Sequence, residues 1–307
     1  MTEHIFIVGC ARSGTTLLRQ ILGMAERVSI APETHYIRRF TQPGGRKNGR
    51  GHLADDAHLE RLIDVMYSGR ERAGSAYYGW LQRNVDRSSF REKLYASDRT
   101  ERGIFQTLMQ VYAVKTKGRL TDDLILGEKT PTHFNYIPQL LTWFPEARII
   151  HTFRDPRAIL ASELKKMRKK GKEGPKRLVR WAPGWILEPF EAPAELIHTT
   201  RSWLAAARWH AYCEERFPEN YSLVRFEDLI TEPEREIRRL CSFAKIPFEP
   251  RMVTQVHVVG SGYQAQRRGA AGFDRGALDR WKTTLHPAVG LWFALFGGEQ
   301  LKKFGYV

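Results

Sequence analysis

Two glycines five residues apart, with an arginine between them and hydroxyls around the second, form the segment Gly9-Cys10-Ala11-Arg12-Ser13-Gly14-Thr15-Thr16. These residue types suit an anion cradle. Glycine allows a tight turn and close approach, a helix start offers unpaired N–H groups and the positive end of its dipole, and hydroxyls add donors. Arg12, Ser13, Gly14, Thr15 and Thr16 are the candidate ligands of a phosphate-like group. The common nucleotide loop, G-x-x-x-x-G-K-[ST], uses its lysine for the β- and γ-phosphates and its hydroxyl for magnesium. Here Thr15 follows Gly14, so that lysine is missing and the cation has moved to Arg12. This argues against ATP or GTP hydrolysis and for an anionic donor held without a metal.

A transfer reaction at such a loop also needs a proton acceptor and further cations. Glu33, in Pro32-Glu33-Thr34-His35, is a candidate general base. A helix N-terminus with an acidic first turn would explain the same run. His35 is the rival base, since its ordinary pKa range suits the task. Lys129, in Glu128-Lys129-Thr130-Pro131, and Arg154, in Arg154-Asp155-Pro156-Arg157, supply candidate cations. Ser162 follows Arg154 by eight residues, about two helical turns. An arginine fork and that serine suit a second phosphate.

The elements needed to gather these residues are legible in the pattern. Ile5–Val8, Val28–Ala31, Leu124–Gly127, Arg148–Phe153 and Tyr221–Phe226 read as strands, the first as a strand buried on both faces. Helical spacing follows the loop to near Ala25, covers most of Leu53 to about Lys117, and returns over Tyr136–Phe144, from Ala158, over Ser202–Arg216, and from Pro233 to about Ala244. This alternation predicts an α/β fold, a mostly parallel central sheet flanked by helices. Ligands of such sheets bind beyond the carboxyl ends of the strands, near the point where strand order reverses. Arg12, Glu33, Lys129 and Arg154 all follow predicted strands closely, so one rim can gather them.

Gly9-x-x-Arg12-Ser13-Gly14-Thr15-Thr16-Leu17-Leu18 resembles the loop of the sulfotransferases that use 3′-phosphoadenosine 5′-phosphosulfate (PAPS). In that family it holds the 5′-phosphosulfate. Thr152-Phe153-Arg154-Asp155-Pro156-Arg157-Ala158 with Ser162 resembles the second signature, whose arginine and serine bind the 3′-phosphate. Glu128-Lys129-Thr130-Pro131 and Val224-Arg225-Phe226-Glu227-Asp228-Leu229 also resemble family elements. Phe226 stands where many members carry a tyrosine near the adenine. Arg267-Arg268-Gly269 is similar to a segment that clamps the 3′-phosphate in some branches, and a solvated basic loop would explain it equally well. The Pro-Glu-Thr run looks closest to the branch with the tyrosylprotein sulfotransferases and many bacterial enzymes. The resemblance implies one P-loop sulfotransferase domain over 1–307. It implies sulfuryl transfer from PAPS to an acceptor hydroxyl, less readily an amine, with 3′-phosphoadenosine 5′-phosphate as product. Arg12 and Lys129 would stabilise developing charge and Glu33 would take the proton. No metal is expected. The segments 41–117 and 165–200 lack counterparts and are expected to form the acceptor region. Sugar, lipid, secondary metabolite, phenol and peptide tyrosine all fit as acceptors.

The chain of 307 residues can bury a large core, and 42% hydrophobic with 27% charged residues is a globular composition. A net charge of +15 implies acidic partners, yet the basic residues are not gathered in a tail, which weakens a nucleic-acid reading. Three cysteines, Cys10, Cys213 and Cys241, without C-x-x-C spacing, together with the absence of room for a signal peptide, predict a cytoplasmic protein with reduced thiols. Val289–Phe296 is too short to span a bilayer and reads as a core helix. Tyr77, Tyr78 and Trp80 read as core more readily than as acceptor lining. Lys165–Arg180 reads as an exposed, flexible basic segment, and Pro183–Pro193 as irregular chain. Two other functions share parts of the pattern. A P-loop kinase shares the fold but needs the missing lysine. A non-catalytic polyanion-binding protein explains the charge but not the spacing of Arg12, Arg154 and Ser162.

Overall fold

The computed structural model describes residues 4–41, 53–68, 78–173, 184–257 and 272–307, the side chains of 169–173 and 184–191 apart. Five parallel strands form its centre: β1 (His4–Gly9), β2 (Val28–Ala31), β3 (Ile125–Lys129), β4 (Arg148–Phe153) and β5 (Tyr221–Arg225), in the spatial order β2-β3-β1-β4-β5. From β1 the chain builds first towards β2 and β3, then crosses to β4 and β5. Strand order therefore reverses beside the carboxyl end of β1, where the glycine loop lies.

Alternation along β1 separates two cores. Phe6 and Val8 face a large cluster with Tyr36, Phe105, Phe134 and Trp203. Ile5 and Ile7 face a second cluster with Leu18, Ile21, Leu240 and Met252. All six β1 residues are buried, as a sheet covered on both faces requires.

On the first face lie α2 (Asp56–Tyr67), α3 (Gly79–Asn84), α4 (Arg87–Tyr95), α5 (Glu101–Lys117) and α6 (Ile137–Trp143). The predicted stripe Leu59, Leu62, Ile63 and Met66 of α2 is buried. Asp55 caps α2 by accepting from the N–H groups of Ala57 and His58. Tyr78 and Trp80 belong to this core, and Tyr77 lies outside the described residues.

On the second face lie α1 (Thr15–Leu22), and later α7 (Pro156–Glu173) and α8 (Gly184–Arg216) run past the sheet's carboxyl edge and first face. The chain closes through α9 (Phe226–Thr231), α10 (Pro233–Phe243), α11 (Arg251–Thr254), α12 (Arg280–Thr284) and α13 (Ala288–Lys303).

Several expectations need correction. α1 ends at Leu22, short of Ala25, where the bonding tightens: the Met24 and Ala25 N–H groups donate only three residues back, to the Ile21 and Leu22 carbonyls. β3 runs on through Lys129, so that lysine ends the strand and does not follow it. The basic run expected to be flexible is helical as far as Glu173, since lysine and arginine are good helix formers, and its remainder, 174–180, lies outside the described residues. The stretch expected to be irregular is helical from Gly184 onward. Pro189 and Pro193 each remove a main-chain hydrogen bond there. The buried face of Trp203, Ala206, His210 and Cys213 holds α8 in place.

The apolar run in α13 is not a core helix. Phe293, Gly297 and Leu301 are buried, whereas Leu291 and Leu295 are 74% and 77% exposed. A continuous apolar run has no period to say which face turns inward. No helix among the described residues is long and apolar enough to cross a membrane.

Candidate active site at the carboxyl edge of the sheet

The glycine loop needs its two glycines for space as well as for rotation. Gly9 has φ of 146°, and a Cβ there would lie 2.3 Å from the Thr152 carbonyl oxygen. Gly14 has φ of 97°, and a Cβ there would lie 2.6 Å from Phe226. Between them Arg12 holds φ of 69°, a left-handed conformation that costs a non-glycine residue about 1–2 kcal/mol. Ser13 is turned inward. Its hydroxyl donates to the Cys10 carbonyl at 2.6 Å and pairs with the Thr152 hydroxyl at 2.6 Å, so it braces the loop against β4. Its side chain is fully buried and offers nothing to the cavity, contrary to the expected donor hydroxyl. Gly14 caps α1 without a side-chain hydrogen bond, and the first helical bond runs from the Leu18 N–H to the Gly14 carbonyl. The N–H groups of the first turn thus have no intrahelical partners. Thr15 and Thr16 stand at this turn, on the wall of a cavity of about 970 Å³. Burial pushes the Cys10 thiol up to about 12, with only partial relief from Ser202, so this loop cysteine is no nucleophile.

Arg12, Arg154 and Ser162 meet across 150 residues of sequence, but not in the expected pairing. Arg12 Nε donates to Ser162 Oγ at 2.9 Å, and Glu163 lies 3.8 Å from the same nitrogen. Arg154, 8% exposed, donates from Nη1 to the Arg12 carbonyl at 2.9 Å and from Nη2 to the Ala277 carbonyl at 2.7 Å. Its guanidinium lies 4.1 Å from the centre of the Phe226 ring. Arg154 therefore ties the glycine loop to the turn before α12 while its flank lines the cavity. The β4–α7 turn is locked in turn: Arg157 pairs with Asp155 and donates to the Tyr306 carbonyl, and the Asp155 N–H donates to Glu227.

The other rim carries the proton chemistry. Glu33 fronts the cavity with its side chain 36% exposed, while Lys129 behind it is 4% exposed. Lys129 Nζ donates to Glu33 Oε1 at 2.5 Å, and His35 Nε2 lies 3.3 Å from Glu33 Oε2. Thr132 Oγ1 is 3.5 Å from His35 Nδ1. Thr132 donating to Nδ1 and Nε2–H donating to Glu33 is the tautomer that satisfies both contacts. Burial pushes the Glu33 carboxyl up, but the His35 hydrogen bond and the Lys129 charge outweigh it and bring the group down to about 2. Burial lowers the pKa of His35, and Glu33 offsets this only in part. His35 holds φ of 50°, so each rim has one strained non-glycine residue, Arg12 on the loop and His35 here.

A model of the sulfotransferase family matches residues 4–250. The chain belongs to that family. An uncharacterized protein of Aquifex aeolicus (strain VF5) is 23% identical over 284 residues, 91% of this chain and 30% of that protein. Human carbohydrate sulfotransferase 6 is 32% identical over 135 residues, 43% of this chain and 34% of that enzyme. The chain thus spans about a third of the length of the curated relatives it matches. The fold is that of the sulfotransferase domain from the curacin biosynthetic pathway, with a TM-score of 0.55, 19% identity and 98% of each chain covered. The sulfotransferase domain of the Synechococcus PCC 7002 olefin synthase is similar at a TM-score of 0.52 and 17% identity, over 95% of this chain and 94% of that one.

In this member of the sulfotransferase family the cavity wall brings together Arg12, Gly14, Thr15, Thr16, Glu33, His35, Arg154 and Ser162 from the sequence-based set. Ser13 and Lys129 stand behind that wall. Arg267, Arg268 and Gly269 lie outside the described residues. The wall also holds residues that the sequence did not flag. Ile230, Phe273 and Ala277 make an apolar slot beside Phe226. Arg280 and Trp281 come from α12, with Arg157 stacked 4.2 Å from the Trp281 ring. Their only sequence signal was a cluster of charge and aromatics late in the chain. Lys165, Lys166 and Arg168 come from α7, within the segment 165–200. Among the described residues, none of 53–68 or 78–117 lines this cavity, and that part of the segment 41–117 packs into the core instead.

Proposed function

We propose that this sulfotransferase moves a sulfuryl group from the donor substrate PAPS to an acceptor hydroxyl, with an amine as the second choice. The observation that carries this reading is one cavity with Arg12 and an open helix start on one wall and Glu33, backed by Lys129 and His35, on another. The residues fit such a donor. Unpaired first-turn N–H groups, Arg12 and the hydroxyls of Thr15 and Thr16 suit a phosphosulfate, Ser162 and Arg154 suit a second phosphate, and the apolar slot at Phe226 suits a purine.

In the transfer, the acceptor oxygen forms a bond to sulfur as the bond from sulfur to the phosphate oxygen breaks. The electron pair leaves with the phosphate, and the acceptor's proton passes to Glu33. A group held down to about 2 is ionised throughout the neutral range but is a weak base. That suits a loose, in-line transfer of the phosphoryl-transfer type, in which the attacking oxygen gives up its proton late. Lys129 sets the position and charge of Glu33, and Arg12 stabilises charge on the departing side. His35 orients Glu33 through Nε2–H and is held towards its neutral form by burial. Of the two segments expected to form the acceptor region of a single domain over 1–307, 165–200 remains the proposed one, with Lys165, Lys166 and Arg168 its cavity-facing part.

A thermal-shift titration with 3′-phosphoadenosine 5′-phosphate, followed by labelled-sulfate transfer to panels of acceptors, tests the proposal. Stabilisation by that nucleotide and transfer to a hydroxyl acceptor are expected. Stabilisation only by ATP with magnesium would overturn it. The name of the human relative makes sugar hydroxyls the first panel to try.

A further inference from the structure

Glu33 stands just past the last main-chain pairing at an edge of the sheet. β2 pairs with β3 up to Ala31 opposite Glu128, and no strand among the described residues flanks β2 on its other side. Beyond Ala31 the main chain has no ladder to fix it, yet the N–H groups of Thr34 and His35 are buried and need acceptors. Side chains of β3 and the residue after it provide them. The Thr34 N–H donates to Glu128 Oε1 at 2.9 Å and lies 3.1 Å from Thr130 Oγ1. The Thr34 hydroxyl donates to Glu128 Oε1 at 2.9 Å, and the Thr130 hydroxyl donates to the same oxygen. The His35 N–H donates to Thr130 Oγ1 at 3.3 Å. The second carboxylate oxygen of Glu128 lies 3.1 Å from His133 Nδ1. Glu128, Thr34, Thr130 and His133 are each 1% exposed or less.

Side-chain alternation gives this cluster its direction. Glu128 pairs across the sheet with Phe6 and faces the larger core, whereas Lys129 pairs with Ile7 and faces the α1 side. Thr34 turns to Glu128, and Glu33 turns to Lys129. Two adjacent residues of β3 thus hold two adjacent residues of the β2 extension, one from each side.

We propose that Glu128 is a positioning residue for sulfuryl transfer: its carboxylate replaces the missing sheet ladder, pins Thr34, and so fixes the directions of Glu33 and His35. It never touches the donor or the acceptor. The buried carboxylate is retained because one oxygen accepts three hydrogen bonds that an apolar residue would leave unmet. The proposal rests on the reading of Glu33 as the proton acceptor.

The test is a double-mutant cycle on Glu33 and Glu128, with melting temperature and the shift induced by 3′-phosphoadenosine 5′-phosphate recorded for each variant. Glu128→Ala should lower kcat about 30- to 100-fold, the size expected for an angstrom-scale displacement of a catalytic group, with donor KM within about twofold. Glu128→Gln keeps the accepting oxygen and should restore kcat to within about threefold of the parent. In a Glu33→Gln background, Glu128→Ala should cost little more, because both act through one carboxylate. Full kcat in Glu128→Ala, or losses that multiply in the double variant, would overturn the proposal while leaving Glu33 in place. Full activity in Glu33→Gln would instead overturn the base assignment and the proposal with it. If Glu128→Ala does not fold, the near-isosteric Thr130→Val takes its place, with a drop in kcat supporting the proposal and parental kcat refuting it.

Discussion

On the β1–β4 side of the cavity the main chain makes the site, and on the β2–β3 side the side chains make it. The glycine loop takes its shape from two residues with positive φ and little room, Gly9 and Gly14, and presents N–H groups that any helix start would have. The Glu33 rim has no such local device. Its chain path depends on Glu128 and Thr130, and its charge depends on Lys129, all of them nearly 100 residues away in sequence. A site made by main chain leaves a short, readable motif. A site made by a buried polar network leaves only scattered residues, each of which has an ordinary explanation by itself.

The two rims should fail differently, and substitutions can sharpen or erase that contrast. Arg12→Ala removes the charged donor proposed to stabilise developing charge and breaks the contact with Ser162. Sulfuryl transfer should fall by about 10³-fold, read as initial rate at saturating acceptor. Glu33→Gln should lower kcat by about 10²-fold or more with donor affinity little changed, measured by steady-state kinetics beside nucleotide titration. A Glu33→Gln enzyme whose main defect is donor KM would erase the distinction between the rims.

Lys129→Met should be milder in rate, about tenfold, and more telling in pH. Without the lysine charge and its hydrogen bond, the Glu33 carboxyl loses two of the influences that lower it and rises, so the acid limb of the pH–rate profile should move up. The same group sets a sign for stability. Its folded pKa of about 2 lies below the ordinary 4.5, so it stabilises the fold fully above about 4.5 and this is lost as pH falls towards 2. Acid unfolding of Lys129→Met should therefore begin at higher pH than that of the parent.

Ser162→Ala removes one hydrogen-bond partner of Arg12 and should raise donor KM about threefold to tenfold while kcat stays close to the parent value. At the small end, Leu291→Ser on the exposed face of α13 should change stability by no more than about 0.5 kcal/mol, measured by urea unfolding.

The strands and the glycine loop were legible because their signals are local. Four apolar residues before Gly9 make a doubly covered strand, and Arg148–Phe153 has the bounds the pattern predicts. The helical spacing from Ala158 marks α7, but its end from Lys165 and the start of α8 depart from the irregular chain that charge and proline suggest, because helix propensity carries α7 on and α8 is anchored further along at Trp203 and Ala206. The outward face of α13 was misread because an apolar run without polar interruptions does not encode a direction.

For the site, the sequence by itself determined which chemistry was available: an anion cradle with arginine in place of the Walker lysine, carboxylate and imidazole as rival bases, and an arginine–serine pair downstream. Only the tertiary structure decided the partners. It turned Ser13 inward, paired Arg12 with Ser162, set Arg154 against two carbonyls, and drew Lys129 and His35 onto Glu33. The physical reason is range. Backbone rotation and helix-end polarity act within a few residues, whereas the geometry and pKa of a buried ion pair depend on neighbours that parallel strand pairing alone brings together.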